Sequence, residues 1–399
     1  MKQILLILFT IFTFSIEAQT TYTYTGIGNW TDQANWSPSY PGTTLSTADE
    51  IIITAGSEVT ASQYTINGKL FNRGKLTNNS SVRINGEATN EGDIVNRSFF
   101  TNNGTVINLG TFQSNSFFEN NSIFTNQNIF QSNSFFDNYG TFNNEATLTS
   151  SSFGTNSGTI NNTGIFNIVY NFYNNDIILN DGSIVINSTL SGNNTSHSNN
   201  FNLTNGLSPG ETSSLRLGTY VFDADLFFEN NAKLYIDINS TQNDLVTVSN
   251  VATLNGRLNV TLLDDYNPVI GSEFTILTAN TITGTFSTLN FPDLGSDKEF
   301  VVIYNTTSVV LKVVDSTTLD AENFISENSN LILYPNPATE IVSIKGITQP
   351  EKVVIYSTLG AKVATFTVDQ INNSITISHL KKGTYFLTIG NNKQKIIKR

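Results

Sequence analysis

An apolar residue recurs every six positions over a third of this chain. From Tyr64 to Leu190 a step of six meets 22 positions, and all but Gly154 are apolar, in a chain that is 38% apolar overall. Chance does not produce that run. Two residues before the apolar position stands a small residue in most repeats, as at Gly68, Gly74, Ser80, Gly86 and Gly92. Two residues after it stands Asn in most repeats, from Asn72 and Asn78 to Asn156 and Asn162. Six is an even number, so in extended chain the three specified positions point one way and the other three point to solvent. A helix cannot keep a strict six-residue period, and a disordered polar tract has no reason to. The period predicts short strands wound as a solenoid. The small residue permits a tight corner. The Asn either takes up unusual backbone angles at that corner or stacks on the Asn of the next coil.

A second period sets the size of one coil. Phe99, Phe117, Phe135 and Phe153 lie 18 residues apart, and Ser114, Ser132 and Ser150 replace Asn at the same spacing. Three hexads per coil, a three-sided prism, is the simplest reading. These coils resemble left-handed hexapeptide β-helices, although the glycine usual just after the aliphatic is missing and the handedness stays open. With the apolar column inside, the four phenylalanines point outward and stack up one face. They are the candidate interaction face, because an exposed aromatic stripe marks an interaction surface. The alternative is that residues 193–205, or the later coils, fold back over them.

The remaining segments order themselves around this rod. Residues 1–19 have one lysine, an apolar run over 4–16 and Ala18 near the cleavage point, the pattern of a signal peptide. That run is too short for a membrane span, and no later stretch qualifies. Residues 20–63 read as an N-terminal cap, with Trp30 and Trp36, the only tryptophans, closing the open solenoid end rather than binding sugar. Residues 64–192 are the hexad solenoid. Within 193–314, residues 193–205 are Asn/Ser/Thr-rich and read as a loop. Longer alternating strands follow, and Leu207-Ser-Pro-Gly210 and Leu254-Asn-Gly-Arg-Leu-Asn-Val260 resemble the closing strands of autotransporter-like passenger β-helices, which implies wider coils. Residues 315–330 read as a linker.

Residues 331–399 carry short strands with turn signals, expected as a small antiparallel β-sandwich. Their ordered series contains Tyr334-Pro335-Asn336-Pro337, Gly360, Gly383 and Tyr385. It resembles the type A C-terminal sorting domain of the type IX secretion system of Bacteroidetes. That resemblance implies recognition by the type IX secretion machinery, followed by removal of the domain or attachment to surface lipopolysaccharide. The expected fold class is therefore all-β: a three-sided solenoid of about 18 residues per coil, wider β-helix-like strands, then the sandwich.

Chemistry is sparse. The net charge of −12 argues against nucleic acid. With no cysteine there are no thiolate sites or disulfides. His197 and His379 are far apart in sequence, so zinc is not expected. Between Ser98 and Leu215 there is no Lys or Arg, whereas polysaccharide-cleaving β-helices use clustered acids and bases. Asp264-Asp265 reads as a turn, and Asp223, Asp225 and Asp237 lack calcium-loop spacing. No cofactor and no catalytic or metal site is expected. The expectation is a secreted, non-catalytic, adhesin-like protein of the outer cell surface or surroundings, whose partner is a glycan or another copy of itself. The alternative is a secreted carbohydrate-binding module or carbohydrate-active enzyme.

Overall fold

The computed structural model describes residues 18–193, 195–210, 217–316, 332–347, 349–358, 361–389 and 392–399. Most of the expected signal peptide and linker, and Gly360, lie outside the described residues. The chain forms two compact units, divided after Ser316.

The first unit is a parallel β-solenoid with three faces. Strands Lys69–Asn72, Glu87–Asn90, Thr105–Asn108 and Ile123–Asn126 build the first face in unbroken register. The second face stacks Asp93–Asn96, Thr111–Ser114 and Ile129–Ser132. The third stacks Phe99–Asn102, Phe118–Asn120 and Phe136–Asn138. The six-step column points inward: Phe100, Phe112, Phe118, Phe124, Phe130, Phe136 and Phe142 are all buried. Their rings stack with the same face of the next coil and meet the other faces edge-on, as at Phe112–Phe130 (5.0 Å, 14°) and Phe118–Phe130 (4.7 Å, 70°). Aromatic pairs prefer both geometries. Gly154 breaks the column because the Phe172 ring of the next coil occupies the space that its side chain would need.

The repeated Asn side chains also point inward, fully buried. On the first face each amide donates to the carbonyl of the next: Asn72 to Asn90 at 2.6 Å, Asn90 to Asn108 at 2.7 Å, Asn108 to Asn126 at 2.8 Å. A parallel ladder on the third face joins Asn102, Asn120, Asn138, Asn156 and Asn174. Each Asn spends its other hydrogen on backbone carbonyls at the corner, as Asn90 does to Thr111 at 3.0 Å. Among the described residues no ladder Asn has positive φ, so the corner-angle role does not apply and stacking does. The glycines also have another purpose. A Cβ at Gly104 would collide with the Gly86 carbonyl oxygen one coil away, so glycine here allows close approach of backbones.

Two segments differ from expectation. The expected cap, residues 20–63, contains coils of its own: Thr21–Tyr24 runs parallel to Glu50–Ile53, which runs parallel to Lys69–Asn72. An insertion between these strands hides the period. Trp30 stacks on Tyr64 (4.5 Å, 8°) and meets Trp36 edge-on (4.9 Å, 70°), and both indoles are buried. The expected loop 193–205 holds two strands: Thr195–Ser198 pairs with Ile177–Asn180, and Phe201–Leu203 with Leu226–Phe228. Backbone pairing does not need apolar side chains, so polar composition misled there.

Beyond this point the coils widen. Bonds between neighbouring coils span 18 residues at Asn126–Asn144, 25 at Asn230–Asn255 and 31 at Asn259–Asn290. The first unit closes with Lys298–Tyr304 and Ser308–Asp315, which pair antiparallel with each other and, through the second, with Glu273–Gly284.

The second unit has two antiparallel sheets. One holds Ile332–Tyr334, Ile341–Lys345 and Ser374–Thr376. The other orders Lys362–Val368, Glu351–Ser357, Gly383–Ile389 and Asn392–Lys398. Val342, Ile344 and Ile375 from the first sheet share a core with Val353, Ile355, Leu387 and Ile396 from the second.

Candidate functional site

The third face carries a continuous aromatic ladder. Phe99, Phe117, Phe135 and Phe153 sit at its leading edge, 39% to 53% exposed. Their rings are parallel: Phe99–Phe117 at 4.9 Å and 9°, Phe117–Phe135 at 4.7 Å and 5°, Phe135–Phe153 at 6.4 Å and 15°. Tyr170 ends the column edge-on to Phe153 at 4.9 Å. Among the described residues, neither the 193–205 segment nor the wider coils cover the stripe, since all four rings stay exposed. Buried amides fix the backbone beneath it. The Phe117 carbonyl accepts from Phe100 N–H at 3.0 Å and Asn96 Nδ2 at 2.9 Å, and the Phe99 carbonyl accepts from Asn78 Nδ2 at 2.9 Å. The ladder is therefore held by the core and not by a mobile loop.

Polar columns flank it, and sequence reasoning passed them over. On one side along the coil, Gln113 donates to Asn115 (2.9 Å), Gln131 to Asn133 (2.8 Å) and Asn133 to Asn115 (2.7 Å). On the other side stand Glu119 and Asp137, aligned on adjacent coils. The signal was available: these residues keep the same 18-residue spacing as the phenylalanines. Burial raises the Asp137 carboxyl above the usual range, a hydrogen bond from Thr155 partly opposes this, and the Glu119 charge adds to the rise. The unfolded chain then ionises Asp137 first, so this residue withdraws stability as pH rises through the carboxylate range. Asp137→Asn is expected to raise the urea midpoint at pH 7 relative to the parent, with the gain vanishing below about pH 3. Paired urea titrations over that range check it, and a gain independent of pH would remove the explanation.

The other sequence candidates do not converge. Asp264 and Asp265 have φ of 55° and 54° and form a turn. Asp225 accepts from Val251 N–H at 3.1 Å, and among the described residues Asp223, Asp225 and Asp237 do not assemble into a metal-ligating group. Ion pairs Lys69–Glu87 (3.2 Å) and Arg73–Glu91 (3.0 Å) join exposed side chains on neighbouring coils, and the second lines a shallow depression of about 470 Å³ with Glu58, Lys75 and Asp93. These residues neutralise one another.

In the second unit the Pro335-Asn336-Pro337 stretch is tied to the last strand. Asn336 Nδ2 donates to the Lys395 carbonyl at 2.6 Å and Asn336 Oδ1 accepts from Ile397 N–H at 2.9 Å. An Asn side chain here does what a strand backbone would, and joins the start of the unit to its end. Tyr334 is exposed, and Tyr385 Oη donates to the Lys381 carbonyl at 2.9 Å, beside Gly383.

This antiparallel sandwich, with its Asn clasp, is a sorting module. Residues 332–399 match the family of secretion system C-terminal sorting domains. The chain is therefore a secreted protein sorted by the type IX secretion machinery, bound for the cell surface or the extracellular space. Among the described residues no helix is long and apolar enough to cross a membrane. No curated protein matches the chain.

Proposed function

We propose that the protein is a non-catalytic, adhesin-like surface protein: a rigid solenoid delivered by its sorting domain, with the phenylalanine ladder as its working face. The observation that carries this reading is the exposed, stacked column Phe99–Phe117–Phe135 on a core-braced backbone. Evolution keeps such apolar area in water when a partner covers it. The flanking carboxylates lie on an open sheet face without a basic neighbour in that stretch, which favours recognition over acid–base chemistry. A sugar-binding platform offers ring faces, whereas here each inner ring's faces are covered by its neighbours and its edge meets solvent.

The test compares the exported chain with Phe117→Ser/Phe135→Ser in cell-surface adhesion, glycan-array and light-scattering assays. The double variant is expected to keep its circular dichroism and lose roughly tenfold or more in binding, as for hot-spot removal. Equal binding by both proteins would remove the ladder as the working face. Release of reducing ends from a polysaccharide panel would overturn the non-catalytic reading.

A further inference from the structure

We infer that the ladder's partner is a second copy of this chain, lying parallel and in register across a two-fold axis that runs along the solenoid. This rests on the ladder being an interaction face. The geometry of the rings narrows what can cover them. Ring centroids 4.9 and 4.7 Å apart leave no slot for an inserted side chain, since carbon contacts of 3.5–4.0 Å on both sides of an intruder need about 7 Å. A knob cannot enter, so the complement is another straight, continuous ridge of the same length. The molecule itself carries such a ridge.

The flanks then select the orientation. The two inner coils of the ladder read, in chain order, amide, phenylalanine, carboxylate: Asn115, Phe117, Glu119, then Asn133, Phe135, Asp137, while the end coils carry Thr101 and Thr155 at the carboxylate position. When two ridges face each other with their chains running the same way, the amide flank of one copy meets the carboxylate flank of the other. Each carboxylate is then opposite the amide of its own coil number. Antiparallel ridges would instead set carboxylates against carboxylates in a stretch with no Lys or Arg to compensate. Arg97, exposed on the amide side one coil earlier, stands opposite Thr101 of the second copy, one coil short of its Glu119, and adds a diagonal attraction to that acid. Amide-to-carboxylate bonds are charge-assisted. Four half-exposed rings offer roughly 350 Å² per copy, less than the ~800 Å² of a standard interface, so the polar columns must contribute and the affinity is modest.

Sedimentation of the exported chain is expected to show a mass that climbs toward twice the chain mass over a micromolar range. Asn115→Asp/Asn133→Asp, which sets acid against acid, is expected to weaken that association at least about tenfold. Because the protein has no cysteine, introduced thiols report orientation without background. Phe99→Cys and Phe153→Cys, at the two ends of the ladder, should each cross-link to themselves under mild diamide oxidation. Cross-linking only in a mixture of the two would show an antiparallel pair and overturn the inference. So would a chain that stays monomeric and uncross-linked. If that monomer still binds another surface through Phe117 and Phe135, the dimer fails and the working-face reading survives. If it does not, both fall.

Discussion

Asn126→Asp is expected to destabilise the solenoid by about 3–5 kcal/mol at pH 7, although it exchanges one amide NH₂ for an oxygen. Asn126 is fully buried and donates to Asn144 Oδ1 (2.8 Å), the Thr147 carbonyl (2.9 Å) and the Asn128 carbonyl (3.1 Å). It accepts from Asn108 Nδ2 at 2.8 Å. In the variant a carboxylate oxygen would face three acceptors, with no cation near. Burial must raise that carboxyl, so the folded state prefers it neutral while the unfolded chain ionises near pH 4. The penalty is therefore smallest below that pH, where the neutral acid returns one donor. It grows as pH rises to the folded value and is then constant. Urea unfolding at pH 4 and pH 7 should show the difference. Asn85→Asp is the control: Asn85 belongs to an outward ladder with Asn67 and Asn103 and should move stability by about 0.5 kcal/mol or less. Equal effects at positions 85 and 126 would mean that the buried ladder is ornamental.

This contrast between two Asn columns also shows what was legible in the sequence. The even period tells which residues point inward, because side-chain direction alternates along a strand whatever the residue type. The inward place of Asn126 and the outward place of Asn85 both follow from it. The amide's role does not. Tolerance of left-handed backbone and capacity for two-sided hydrogen bonding belong to the same side chain, and only the packing of coils chooses between them. The 18-residue spacing exposed the phenylalanine column, since identical residues at that interval must stack. Ring tilt, which turns edges and not faces to solvent, depends on neighbours above and below and leaves no trace in residue order. At 193–205 the alternation of Phe201 and Leu203, both buried, was a strand signal drowned by polar composition. In residues 20–63 the alternating Ile51 and Ile53 belong to a coil, but the insertion before them breaks the step of six. Asn336 was legible as a motif residue, while its clasp on the last strand needed the fold.

Phe130→Ala should cost about 3–5 kcal/mol, the range for emptying a large aromatic site in a packed core. Its ring meets Phe112 (5.0 Å), Phe118 (4.7 Å), Phe124 (5.2 Å), Phe136 (5.8 Å) and Phe142 (5.2 Å), so it touches all three faces and both neighbouring coils. No side chain can swing into the void, since every neighbour is held by the same in-register backbone. Phe117→Ala removes a ring of the same size from the outward ladder and should cost about 1 kcal/mol or less, because most of its lost contact is with water and two ring neighbours. In a solenoid each coil contacts only the next, so damage stays local. Hydrogen exchange should quicken for Phe130→Ala in the strands between Thr105 and Ser150, while Lys233–Ile238 and Arg257–Leu262 keep the parent's protection. Uniform loss along the rod would instead mean that the widened coils and the hexad coils unfold as one cooperative block. The pair of substitutions separates the two uses of phenylalanine. A variant at 130 that loses stability and a variant at 117 that loses only association would assign the inner column to folding and the outer one to binding.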